Sequence, residues 1–172
     1  SGATGWNTFI LRQALAVKNL EKTILFASIC DPKTVDQLET TAIGETAQIE
    51  LGMGYDAMSE KVALKVSVKA KGEIVRPIGI GSEDIVKTFG KCVLVHVEGT
   101  TIDIIIAIQF EKAGADWMNY DITVVKQGYI FPYLKEQAKG YVMSLTDGAT
   151  PQDTASIPFK RIMRPMFPVD QI

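Results

Sequence analysis

DITVVKQGYIFPYLKEQAKG, residues Asp121 to Gly140, is the stretch on which the rest of the chain hangs. Ile122 to Val125 reads as a buried strand. Gln127-Gly128 supplies a tight glycine turn, and the residues after it read as a short helix closed by Gly140. A strand, a glycine turn and a helix N-terminus together form the commonest place for an α/β protein to hold a ligand. The residues predict an α/β domain with a candidate site at that turn, and they do not reveal a reaction.

Upstream, Trp6, Phe9, Ile10, Ala14 and Val17 fall on one helical face, with Asn19 placed to cap its end. Lys22 to Ile29 (KTILFASI) is a continuous apolar run, as expected of a strand covered on both faces. Asp31-Pro32 is an N-cap followed by proline at the first helical position. Val35, Leu38 and Ala42 then recur at helical spacing, with Gly44 as the stop. Gln48 to Leu51 is a short strand entering Gly52-Met53-Gly54, a loop rather than a phosphate cradle.

Lys61 to Lys71 alternates strictly. Val62, Leu64, Val66, Val68 and Ala70 face one way, which predicts a half-solvated antiparallel strand. Gly72 is expected to turn it back into Glu73 to Arg76, which Pro77 ends. Cys92 to Val97 and Ile102 to Ile108 flank Glu98-Gly99-Thr100 as a β-hairpin. Phe110 to Met118 is a candidate short helix before the central strand at Ile122. Tyr141 to Leu145 is a last strand, and two prolines in KRIMRPMFPVDQI forbid regular structure in the tail. The expected architecture over residues 1–172 is one mixed α/β domain. It has a mixed parallel and antiparallel sheet, an antiparallel hairpin region and flanking helices.

Composition removes several classes. A chain of 172 residues has length enough for a proper core, and its net charge of -2 comes with cations scattered among acids. No basic stripe with interleaved aromatics points to nucleic acid. The longest apolar run, Ile102 to Ile108, is too short to span a bilayer and is broken by Asp103. Cys30 and Cys92 are flanked by apolar strand residues, which fits buried thiols in a reducing, cytoplasmic compartment. A bridge between them stays open at this point.

The chemical candidates are few. His96 is the sole histidine, and zinc sites draw on several histidines and cysteines at short spacing. It reads as a strand residue with a satisfied hydrogen bond. Asp103 interrupts an apolar strand and reads as a strand-end acid near the hairpin turn. No G-x-S-x-G elbow, P-loop or G-x-G-x-x-G fingerprint is present. Lys126 stands at a strand's carboxyl end beside Gly128 and Tyr129. It could meet an anion there, or could simply extend off the strand end beside a glycine that makes the corner; the two readings stand level. Lys160, Arg161 and Arg164 are expected to pin the tail to its own domain through carboxylates or carbonyls.

Four stretches, FASICDPKTVDQL, AIGETAQIELGMGYD, DITVVKQGYIFPYL and SIPFKRIMRPMFPVD, together resemble the MlrC-type metallopeptidases, named for microcystinase C. More narrowly, they resemble that family's carboxyl-terminal domain, in the family's order and over most of the chain. The resemblance implies a larger amino-terminal domain carrying the zinc ligands, mainly histidines and acids. No metal ligand and no catalytic residue are then expected within these residues. This domain would complete the cleft of a zinc-dependent peptidase or amidohydrolase and would not be catalytic on its own. Lys126, Gly128 and Tyr129 would be contacts to a small peptide or amide substrate. The implied partner is the amino-terminal domain, with a homo-oligomer possible and neither nucleic acid nor membrane involved.

Family members enter this domain through a D-N-P-G-G-G-like segment, and SGATGWNT looks like its continuation, so the chain is expected to be a fragment. Two departures stand out. Many members have a Ser- and His-containing turn where this chain has Gln127-Gly128-Tyr129-Ile130, so no role of that histidine transfers. A longer connection, often with an arginine, usually follows the strand that ends here at Ala107. A second expectation, of another class, is a non-catalytic α/β module for ligand binding or oligomerisation.

Overall fold

The computed structural model describes residues 5–77, 86–107, 115–125, 132–144, 153–167 and 169–170. The chain divides into two compact units, Gly5–Lys126 and, together with Ser1–Thr4, Gln127–Ile172. In the first, the elements run α1 (Phe9–Ala16), β1 (Ile24–Cys30), α2 (Pro32–Glu39), β2 (Thr46–Leu51), β3 (Val62–Pro77), β4 (Val86–Val97), β5 (Ile102–Ala107), a 3-10 turn (Trp117–Asn119) and β6 (Ile122–Val125). Six strands form one sheet in the order β2-β3-β4-β5-β1-β6. β1 pairs in parallel with β5 and β6, while β2, β3, β4 and β5 pair antiparallel in succession. This is the mixed α/β architecture that the sequence predicts.

Both faces of the sheet are covered. Leu11 of α1 and Val35 and Leu38 of α2 pack on Phe26, Ile29, Val66, Val95, Ile104 and Ile106. On the other face Leu25, Cys92, Leu94, Ile105 and Ala107 lie under Ala115, Trp117 and Tyr120. β5 contributes to both cores, so all six of its residues are buried, including Asp103. Full burial of an isoleucine such as Ile104 is worth about 1.5–3 kcal/mol, and β5 buries Ile102, Ile104, Ile105 and Ile106.

Helix α2 starts as expected. The Asp31 carboxylate accepts from the Thr34 amide at 3.3 Å and the Thr34 hydroxyl at 3.0 Å. It also accepts from the Gly52 amide at 2.9 Å, which ties the loop after β2 to the helix start. The helix ends at Glu39, earlier than Gly44, whose φ of +89° instead makes the turn into β2. Asn19 takes a φ of +57° two residues beyond the C-cap Val17 of α1, consistent with a helix stop.

Several expectations need correction. Gly72 is not a turn. β3 runs on through it to Pro77, pairing Gly72 with Cys92, because the pairing with β4 continues past it and outweighs the glycine's local turn preference. The alternation of β3 also breaks. Val68 pairs with Val95 and Ala70 with Leu94, so Lys69 is an extra residue, a β-bulge. Leu64, Val66 and Val68 therefore join the helix-covered core, while Ala70 joins the other one. β6 is not central and not deeply buried. It pairs only with β1 among the described strands, and Ile122 is exposed.

The two cysteines are unbridged thiols, Cys92 buried and Cys30 half-buried. Cys30 and Cys92 both register with Ala107, from its opposite sides. At about 4.8 Å per strand spacing they stand roughly 10 Å apart, too far for a disulfide.

In the second unit, α3 (Pro132–Gln137) ends before Gly140, and a 3-10 turn spans Thr154–Ser156. Residues 141–144 form no strand, and Val142 is exposed. The described part of the tail is irregular, as its prolines require. Arg164 pairs with Asp170, whose carboxylate also accepts from the Met166 amide at 2.7 Å, so one tail arginine finds its carboxylate within the tail. Among the described residues no helix is long and apolar enough to cross a membrane.

Candidate functional site

Lys126, Gly128 and Tyr129 lie outside the described residues, as do most of the candidate helix at Phe110 to Met118 and the connection after Ala107. Its described end holds the 3-10 turn. Within the described residues, chemistry concentrates elsewhere, around Asp103 on the sheet face opposite the helices.

Asp103 is 4% exposed in a strand that otherwise reads I-D-I-I-I-A. A buried carboxylate is tolerable only when its oxygens are satisfied. Three elements supply the donors. His96 of β4, directly across the hairpin register, places Nδ1 2.8 Å from Asp103 Oδ1. Lys69 places Nζ 2.7 Å from Oδ2, and the Tyr120 hydroxyl donates to the same oxygen at 2.7 Å. The bulge at Lys69 explains its reach, since an extra strand residue re-aims a side chain.

Burial pushes the Asp103 carboxyl up, but the hydrogen bonds from Lys69, Tyr120 and His96 outweigh it and hold the group below the usual aspartate range. Burial, and then the Asp103 acceptor and its charge, push the Tyr120 phenol well above the usual tyrosine range. Asp103 is thus an anion and Tyr120 a neutral donor at neutral pH. An ionised Asp103 makes His96 Nδ1 the protonated nitrogen of the neutral ring, which leaves Nε2 as the one that can accept.

These groups line an open groove of about 480 Å³, together with Thr23, Thr100, Thr101, Asp116 and Asn119. His96 therefore has its satisfied hydrogen bond, as expected. Asp103 is more than a strand-end acid: it is the hub of a polar cluster. The signal was visible as one charge inside TTIDIIIA, but its partners are 7, 17 and 34 residues away in sequence and follow no local spacing.

The cluster does not fit a zinc ion. His96 and Asp103 touch, but both Asp103 oxygens already accept from protein donors, and Lys69 brings a positive charge against them. Among the described residues no three His, Cys, Asp or Glu side chains gather to hold a metal.

Comparison with known proteins supplies what the geometry does not. No curated protein matches the chain. A crystal structure of a "Putative metallopeptidase" from Mesorhizobium sp. BNC1 superposes with a TM-score of 0.70 at 15% identity, covering 98% of this chain and 35% of that one. At that identity the likeness is one of fold, and this chain spans about a third of that protein's length. Residues 1–161 match the family described as the MlrC C-terminus, and the chain belongs to that family.

Proposed function

We propose that this chain serves as the carboxyl-terminal, cleft-completing domain of a zinc-dependent MlrC-type hydrolase of peptides or amides, cytoplasmic, with the zinc ligands on an amino-terminal domain. The observation that carries it is the family match over residues 1–161, beside a fold neighbour of which this chain spans 35%. In such an enzyme zinc would polarise the scissile carbonyl and lower the pKa of the attacking water. This chain's share is to wall the substrate pocket, with Lys126, Gly128 and Tyr129 as substrate contacts.

Zinc analysis tests the division of labour. After dialysis in trace-metal-free buffer, this chain is expected to hold substoichiometric zinc. A longer chain that includes these residues is expected to hold zinc tightly and to lose peptide or amide hydrolysis with a chelator. One tightly held zinc per copy of this chain alone overturns the assignment, and so does hydrolysis that survives complete metal removal.

A further inference from the structure

The donors around Asp103 are not all spent on it. Tyr120 has one proton, and it goes to Asp103. The hydroxyls of Thr23, Thr100 and Thr101 are committed to the Asp121 carboxylate, the Val97 carbonyl and the Lys22 carbonyl. Lys69 has three ammonium protons, and the contact to Asp103 takes one. His96 engages Nδ1 alone, and its Nε2 has no hydrogen-bond partner among the described residues. Both side chains are part-exposed to the groove, at 47% for Lys69 and 34% for His96. The wall thus presents two nitrogen groups, fixed from behind by a buried carboxylate.

The charges select the ligand. Asp103 and Lys69 cancel, and protonation of His96 would leave the cluster at +1. Asp116 sits on the exposed rim with one oxygen accepting from the Met118 amide. A cation entering along this wall meets Lys69 and finds both Asp103 oxygens taken.

We propose that this groove is a binding site for the carboxylate group of a small ligand, held between Lys69 Nζ and Nε2 of protonated His96. Because Asp103 keeps Nδ1 as a donor, the neutral ring turns a lone pair at Nε2 toward the carboxylate and the charged ring turns an N–H toward it. Binding and protonation of His96 therefore strengthen each other. Affinity falls as pH rises and the ring loses its proton, by up to about tenfold per pH unit, down to what Lys69 alone supports. The other charged groups that line the groove are Lys69 on β3, Asp103 on β5 and Asp116 before the 3-10 turn. The site stands independently of the zinc assignment, because it uses this chain alone.

His96 is the chain's sole histidine, so long-range ¹⁵N–¹H spectra report one imidazole. Titration with N-acetylglycine is expected to shift it saturably and to raise its titration midpoint. Lys69→Gln, which keeps a donor for Asp103 but removes the charge, is expected to lose the response, and Lys69→Arg to restore it. His96→Gln is expected to leave weak binding, read on backbone amides, that no longer varies between about pH 5 and 8. No saturable response, or one unchanged in Lys69→Gln, overturns the site. Inorganic phosphate binding more tightly than N-acetylglycine overturns the carboxylate assignment in favour of a phosphate.

Discussion

The Tyr120 hydroxyl donates to Asp103 Oδ2 at 2.7 Å, and through that bond the turn Trp117–Asn119 is fastened to the second face of the sheet. A hydrogen bond to an ionised, buried acceptor contributes about 1.5–3 kcal/mol. Tyr120→Phe is therefore expected to lower the unfolding free energy by about 2 kcal/mol in urea titrations. Ultraviolet titration offers a second measure. Tyr120 should stay un-ionised where exposed tyrosines titrate, near pH ~10, and Asp103→Asn should bring it back toward them.

Asp103 itself makes stability depend on pH in a known direction. Its folded pKa lies below the ordinary aspartate value of ~3.9. Its contribution is then fully present above that value and is lost as pH falls through the depressed folded pKa. Urea midpoints should drop as pH falls below about 4, with a smaller drop in Asp103→Asn. At neutral pH, Asp103→Ala should cost about 3 kcal/mol. Lys69 keeps water access, which holds the figure to the low end of buried pairs.

Asp31 should prove more than a helix cap. An ordinary N-cap substitution costs about 1 kcal/mol. Asp31→Ala also strands the Thr34 hydroxyl and the Gly52 amide in a buried setting. A loss of about 2–3 kcal/mol is expected by thermal or denaturant unfolding, well above a single cap.

Two glycines should respond oppositely to alanine. At Gly52, φ is +125° and a Cβ would lie 2.8 Å from the Glu60 carbonyl oxygen, so Gly52→Ala should destabilise by more than about 1 kcal/mol. At Gly72, a Cβ would make an ordinary 3.5 Å contact with Cys92 Sγ. Gly72→Ala should be neutral or stabilising by up to about 1 kcal/mol. A large loss there, measured by urea unfolding, would restore the turn that its sequence suggested.

Legibility followed locality. β1, the start of α2 and the hairpin β4–β5 were readable because an apolar run, an Asp-Pro cap and a glycine turn each act within a few residues. The position of β6 was not readable. ITVV is apolar enough for a central strand, and only the parallel pairing with β1 puts it on the outside. The Asp103 cluster was half readable, as a charge in the wrong place, because its three donors come from three separate elements. The family was legible in four dispersed stretches, none of which encodes the sheet order.

The bulge at Lys69 has one more consequence, for insertions and deletions. Val66 and Val68 before it and Lys71 after it serve the same side of the sheet, and Lys71 uses that position to donate to the Glu39 carbonyl at the end of α2 at 2.7 Å. The two halves of β3 are thus out of phase by one residue, and Lys69 carries the phase change. Leaving Lys69 out of the count, Val68, Ala70 and Lys71 already alternate across the sheet opposite Val95, Leu94 and Val93. Deleting it would therefore regularise the ladder and keep every other side chain on its face, at the loss of the amine that reaches Asp103, so the extra residue serves the buried carboxylate and not the sheet.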